Sequence, residues 1–268
     1  MPEAAGPEVA PASSEPEAPR LGAAACGLLL WAGCRLIEIF LEAQSLAGAI
    51  GQTVLVEWGC SRLGVVWSRP EDASGKRVVV RALAGAGVGL TMSGALFALL
   101  VVSRGMLIAP ADTRASVLLI GFAASALVAW RDELLLHGMT LRVLDGSISP
   151  LGQCLACGAT SAGAALGRGD ATARSVVAAG LVGTVFGALW VRDGGAWRAW
   201  AAHAAFRFAT TTLFVGGLVH GRIADNAWGG GGQGMLGGTA AVVALGPAFA
   251  RALAWIALRH SPESGKRG

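Results

Sequence analysis

Charge is scarce in this sequence. Only 14% of its 268 residues are Asp, Glu, Lys or Arg, against about 25% in an ordinary soluble domain. Hydrophobic residues make up 54% and come in long blocks, which excludes a soluble globular class and places the chain among polytopic membrane proteins. A basic face on a soluble domain is also missing, so no nucleic acid is expected as a partner. The net charge is only +4, and the arginines lie mostly at the ends of apolar blocks, where they set topology. An even set of cysteines is absent too. Cys26, Cys34, Cys60, Cys154 and Cys157 sit in apolar segments, which argues against a disulfide framework. Cys154 and Cys157 form one CxxC with no second pair and no nearby histidine to complete a zinc set. One helical turn apart in a Gly/Ala-rich stretch, they read as small packing residues. No basic start followed by an apolar core marks a signal peptide, so the first apolar helix is expected to serve as an uncleaved anchor. No internal repeat stands out, and repeats are the main sequence pointer to a transporter.

The apolar blocks set an all-α class: a polytopic transmembrane helical bundle of about eight spans. The expected spans are about 21–41, 47–67, 78–102, 115–130 with a helical continuation to 144, 151–166, 175–191, 196–215 and 236–258. Residues 1–20, with five prolines and four glutamates, read as a disordered tail. Residues 21–110 hold the N-terminal transmembrane helices, 111–258 a transmembrane core, and 259–268 a basic tail. The loop with Arg69, Lys76 and Arg77 and the basic tail are the cytoplasmic candidates. With eight spans both assignments agree. Forty glycines suit helices that pack closely within lipid. Eight of the tryptophans, from Trp31 to Trp228, several of them near span ends, suit interfacial anchoring.

One polar cluster interrupts this pattern. Asp132-Glu133-Leu134-Leu135-Leu136-His137-Gly138 follows an apolar run and continues as Met139-Thr140-Leu141-Arg142. Two adjacent acids and a histidine are costly inside a bilayer, so such a cluster is by default a candidate functional site. Glu133 and His137 share a helix face, as do His203 and Arg207.

Three stretches together resemble the CAAX-protease and bacteriocin-processing family (CPBP, or Abi) of glutamate intramembrane proteases. The charged heptad and the following Leu141-Arg142 are similar to that family's Glu-Glu-x-x-x-Arg-Gly motif. The stretch from Gly187 through Trp190, Arg192 and Gly194 to Trp197 is similar to its Gly-Leu-Leu-Tyr-x-Arg-Thr-Gly-Ser-Leu-Trp. Ala202-His203-Ala204-Ala205-Phe206-Arg207 resembles its His-Ala-x-x-Asn, and the glycine-rich stretch 228–234 resembles one carried by many bacterial members. The resemblance spans about 115–238. It implies proteolysis of a membrane-embedded or membrane-delivered peptide such as a prenylated tail. It also implies an integral protein of the bacterial inner (cytoplasmic) membrane, with lipid and a membrane-bound peptide as partners and no cofactor.

In that family the first glutamate of the pair activates water, a histidine from a Phe-x-x-x-His helix assists, and a final His and Asn hold the oxyanion. Carried over, the catalytic candidates are Asp132, Glu133, His137, His203 and Arg207. Asp132 stands for the glutamate and is one methylene shorter; His137 replaces the motif arginine; Arg207 replaces the asparagine. The Phe-x-x-x-His register falls on Ser161 and Ala165, and no histidine lies between His137 and His203. The missing histidine predicts impaired or lost peptidase activity. A catalytically inactive binding or regulatory scaffold and a proton-coupled or small-solute transporter are the alternatives.

Each residue also has a structural reading. Asp132 and Glu133, as base and orienting partner, would do chemistry; otherwise they pair with Arg131, His137, Arg142 or Arg207, because buried charges need partners. Arg207 either donates to an oxyanion or neutralises the acids. Glu133, His137 and His203 have the chemistry of three zinc ligands but no recognised metal spacing. Arg35 and Glu38 suit an intrahelical pair, and His220 and His260 read as solvated.

Overall fold

The structure is a computed structural model describing residues 20–41, 46–67, 74–167 and 171–259. The proline-rich tail before Arg20, Glu42, most of the 68–77 loop, Arg168, Asp170 and the basic tail with His260 lie outside the described residues. Helices α1 (Arg20–Leu41), α2 (Leu46–Arg62) and α3 (Gly75–Val102) precede strand β1 (Met106–Pro110). Helix α4 (Ala115–Asp132) runs through π turns at Glu133–Gly138 into α5 (Met139–Leu144). Then come α6 (Pro150–Leu166), α7 (Ala173–Asp193) and α8 (Trp197–Phe208), which continues as π turns over Ala209–Gly217. Strand β2 (Val219–Ile223), a 3-10 turn (Gly231–Leu236) and α9 (Thr239–Arg259) close the chain.

The helix ends follow from local chemistry. Pro150 opens α6 at a position that needs no N–H, and Ser149 accepts the Gly152 N–H at 3.2 Å. Thr172 and Ser175 cap α7 reciprocally. Gly194, at φ 61°, ends α7 in a left-handed turn that glycine adopts without strain.

The all-α class holds, with one addition. Strands β1 and β2 pair antiparallel, Met106 opposite Ile223 and Pro110 opposite Val219. This ribbon ties the end of α3 to the end of the second π segment. The stretch 104–114 was expected to be only a loop, and 229–234 a flexible one; the latter instead forms part of the 3-10 turn.

Five segments among the described residues are long and apolar enough to cross a bilayer: Gly22–Phe40, Gly75–Val102, Ala115–Leu144, Ala173–Asp193 and Gly231–Leu258. About eight were expected. Helices α2 and α6 have 17 residues each, at the short end of what spans hydrocarbon. Helix α8 has 12 residues, among them Arg198, His203 and Arg207. Leu28, Leu29, Ile39, Phe40, Leu83 and Leu119 are exposed, as a lipid-facing surface requires. Leu96, Leu100, Leu134, Phe186 and Leu245 are fully buried.

Small residues bring the polar helices inward. A Cβ on Gly85 or Gly89 of α3 would run into the carbonyl of Arg198 or Ala202 on α8. A Cβ on Gly158 of α6 would run into Thr184 of α7, and one on Gly187 into Cys157 at 2.6 Å. Such glycine seams let helix backbones touch in lipid. All five cysteines are free thiols.

The tryptophans depart from simple interfacial anchoring. Trp67, Trp130, Trp197 and Trp200 pack together, with the Trp67 and Trp130 ring centroids 4.1 Å apart. The Glu57 carboxylate accepts the indole N–H of Trp67 at 3.1 Å and of Trp130 at 2.7 Å. A buried indole N–H needs an acceptor, and Glu57 serves two at once.

Candidate intramembrane site

The site starts from the π segment. Its turns are wider than those of an α-helix, so residues four apart come close to eclipsing, and π turns recur at functional positions. Glu133 and His137 are stacked in this way: Glu133 Oε2 lies 2.9 Å from His137 Nδ1, with the two side chains 0% and 1% exposed. The other carboxylate oxygen, Oε1, lies 3.0 Å from His203 Nδ1 on α8. Glu133 is therefore clamped between two imidazoles, one from its own helix and one 70 residues later in the chain. Phe186 of α7 stacks on the His203 ring at a centroid distance of 4.8 Å, which limits its rotation. The far side of His137 is occupied too, with Nε2 3.1 Å from Ser161 Oγ on α6.

Asp132 belongs to a different network. Arg131 donates from Nε to Asp132 Oδ1 at 2.7 Å, and its terminal nitrogen lies 2.7 Å from the same oxygen. Arg131 also reaches Glu38 at 3.1 Å and hydrogen-bonds Gln52. Glu38 in turn pairs with Arg35, as the i,i+3 spacing predicts. The chain Arg35, Glu38, Arg131, Asp132 alternates in sign from α1 into the bundle. His203 and Arg207 lie within electrostatic range of Asp132. Oδ1 carries both Arg131 contacts. Asp132 and His203 keep 16% and 15% side-chain exposure, whereas Glu133 has none. The site thus opens past Asp132 and His203, with Glu133 at its floor.

All five sequence candidates meet here. Glu133, His137 and His203 converge directly, while Asp132 is held by Arg131 with His203 and Arg207 within electrostatic range. Arg142 is exposed and pairs with neither acid. Ala165 is buried and offers no hydrogen bond, as expected for the lost histidine. The surprise is Ser161. In the sequence register it falls on the phenylalanine of the histidine motif, yet its hydroxyl faces the site. Phe186, Gln52 and the anchoring role of Glu38 carried no sequence signal beyond their polarity or size. His220 lies exposed on β2, away from the site. No group of three or more His, Cys, Asp or Glu among the described residues is arranged to hold a metal ion. Both imidazoles near Glu133 spend their Nδ1 on its carboxylate.

A family comparison covers this same segment. Residues 113–209 match the model described as type II CAAX prenyl endopeptidase Rce1-like. Over that third of its length the chain is similar to a CAAX-protease family, and it carries five helices long and apolar enough to cross a membrane among the described residues. The match takes in every residue of the site on α4, α6, α7 and α8. It ends before β2 and the glycine-rich stretch at 228–234. No curated protein and no solved structure matches the chain.

Proposed function

We propose that this CAAX-protease-like protein is an intramembrane endopeptidase with a weakened centre, in which Asp132 is the base that activates water. The observation that carries the reading is the division of labour between the two acids. Glu133 spends one contact of each oxygen on an imidazole and is fully buried at the floor. Asp132 takes both Arg131 contacts on Oδ1, has His203 within electrostatic range and borders the accessible side. A general base must reach its water within hydrogen-bond distance, and of the two acids Asp132, at 16% exposure against none for Glu133, is the one a water can approach. Glu133 then orients His203: a carboxylate on Nδ1 fixes the ring and leaves Nε2 for chemistry, the logic of a carboxylate–imidazole pair in acyl transfer. His203 Nε2 and the Arg207 guanidinium are the donors for the developing oxyanion.

Two features support impairment. The aspartate is one methylene shorter than the family's glutamate, and Arg131 holds the carboxylate that the water needs. The substrate class follows from the family resemblance: a peptide bond delivered at the membrane, as in a prenylated tail. The reading takes the eight helical segments as alternate crossings, with α2, α6 and the α8 segment added to the five long ones. The resemblance of residues 228–234 to bacterial members supports a bacterial inner membrane as its place.

Purified full-length chain, reconstituted and offered a library of membrane peptides and prenylated tails, tests this. Slow cleavage lost in Asp132→Asn and reduced in Glu133→Gln and His203→Gln is expected. Cleavage unaffected by Asp132→Asn would remove the base assignment. No cleavage of any peptide would favour the inactive scaffold.

A further inference from the structure

Among the described residues Ser161 is the one hydroxyl that touches the imidazole–carboxylate chain, and its surroundings are built to hold it there. It comes from α6, where its neighbour Thr160 donates to the Leu136 carbonyl in the π segment at 2.9 Å. A Cβ on Gly183 of α7 would run into the Ser161 side chain, so α7 leaves a gap shaped for it. The serine Oγ lies 3.1 Å from His137 Nε2 and 3.0 Å from the Cys157 carbonyl. Serine has one proton to donate and oxygen lone pairs to accept with. The carbonyl can only accept.

Two arrangements satisfy these distances. In one, the serine proton goes to Nε2 and His137 is a neutral donor through Nδ1. Glu133 is then a fully buried anion faced by two neutral imidazoles, unless His203 supplies the charge. In the other, the serine proton goes to the Cys157 carbonyl and Nε2–H donates to Oγ. One further proton then lies between Nδ1 and Glu133 Oε2. The second arrangement gives every group a partner of the right kind. It also makes the innermost pair neutral as a unit, and a buried charge without that compensation is expensive. The tautomer of a histidine is set by the hydrogen bond at its other nitrogen.

We infer that Ser161 is a positioning residue: by accepting Nε2–H from His137 it leaves Nδ1 and Glu133 Oε2 to share a single proton, and so fixes the floor on which His203 rests. This deepens the peptidase reading of the same site and rests on that reading for its catalytic consequence alone. The assignment of the proton does not depend on any substrate.

Nitrogen-15 NMR of histidine-labelled full-length chain in lipid nanodiscs tests it, because the chain has only four histidines. Spectra of His203→Gln, His220→Gln and His260→Gln identify the remaining resonances as those of His137. In the wild type, His137 Nε2 should be of the protonated type. Ser161→Ala should move it toward the unprotonated type, and Ser161→Thr, which keeps the hydroxyl, should restore it. Gly183→Ala, which crowds the serine, should move the same resonance. An unprotonated Nε2 in the wild type would overturn the inference, as would an Nε2 signal that Ser161→Ala leaves in place. Should Ser161→Ala fail to fold, the wild-type spectrum still decides. In a cleavage assay the alanine variant should lose roughly tenfold in kcat with KM kept, and the threonine variant should recover it. Absence of cleavage in the wild type would overturn the peptidase reading and leave the nitrogen assignment standing.

Discussion

Glu133 has two oxygens and two imidazole partners, and no slack in that arrangement. In Glu133→Gln the amide offers one acceptor and one donor; its NH2 can meet the unprotonated Nδ1 of His137, but the negative charge that both imidazoles face is lost. A hydrogen bond to a charged group is worth about 1.5–3 kcal/mol, more than one to a neutral amide, so about 1 kcal/mol is lost. The variant should therefore unfold that much more easily in denaturant titrations in detergent, in addition to its effect on cleavage. Much of this residue-scale picture was legible in the sequence. Two acids and a histidine inside an apolar run already marked the site, and the i,i+4 spacing already joined Glu133 to His137. The pairing of Glu133 with His203 was legible only through the family resemblance, since 70 residues separate them. Ser161 was not legible as a site residue. A serine in a Gly/Ala-rich helix looks like a packing residue, and nothing local tells which face it presents.

At the scale of elements, the site depends on close helix contacts and wide turns. Helix α8 carries His203 against α3 through Gly85 and Gly89, where a side chain would strike backbone. Gly89→Ala should cost about 1–3 kcal/mol, as overpacking does, and should lower cleavage by shifting His203. Gly87 and Gly94 on the same helix have open space around their Cβ positions. Alanine there should be neutral or stabilise by about 0.5–1 kcal/mol, since it removes the entropic cost of glycine in a helix. Thermal unfolding of the three variants side by side checks the contrast. The all-α class and the five long apolar segments could be read from composition because burial in lipid leaves a long signal. The π turns could not, because they depend on how α4 and α5 meet α6 and α8. The β1–β2 ribbon was equally hidden: each strand is five residues long, and their pairing joins segments more than a hundred residues apart.

For the whole molecule, the proposed eight crossings would place the start of α3, the α5–α6 turn and the start of α8 at one end of the bundle. The β1–β2 ribbon and the start of α9 would lie at the other. Single cysteines introduced at Lys76 and Ser147 should react together with a membrane-impermeant maleimide applied from one side. A cysteine at Arg104 should react only from the opposite side. The basic residues near α3 predict that the first side is cytoplasmic. Reaction of positions 76 and 147 from opposite sides would break the eight-crossing reading. The central claim is narrower: the acid pair lies inside the bundle with Glu133 bonded to the α8 histidine. A double-mutant stability cycle on Glu133→Gln and His203→Gln measures that bond without any substrate. Coupling of roughly 1.5–3 kcal/mol, as for a hydrogen bond to a charged group, is the predicted result. Additivity within about 0.5 kcal/mol would mean that the two side chains do not meet, and the account of the site would fall.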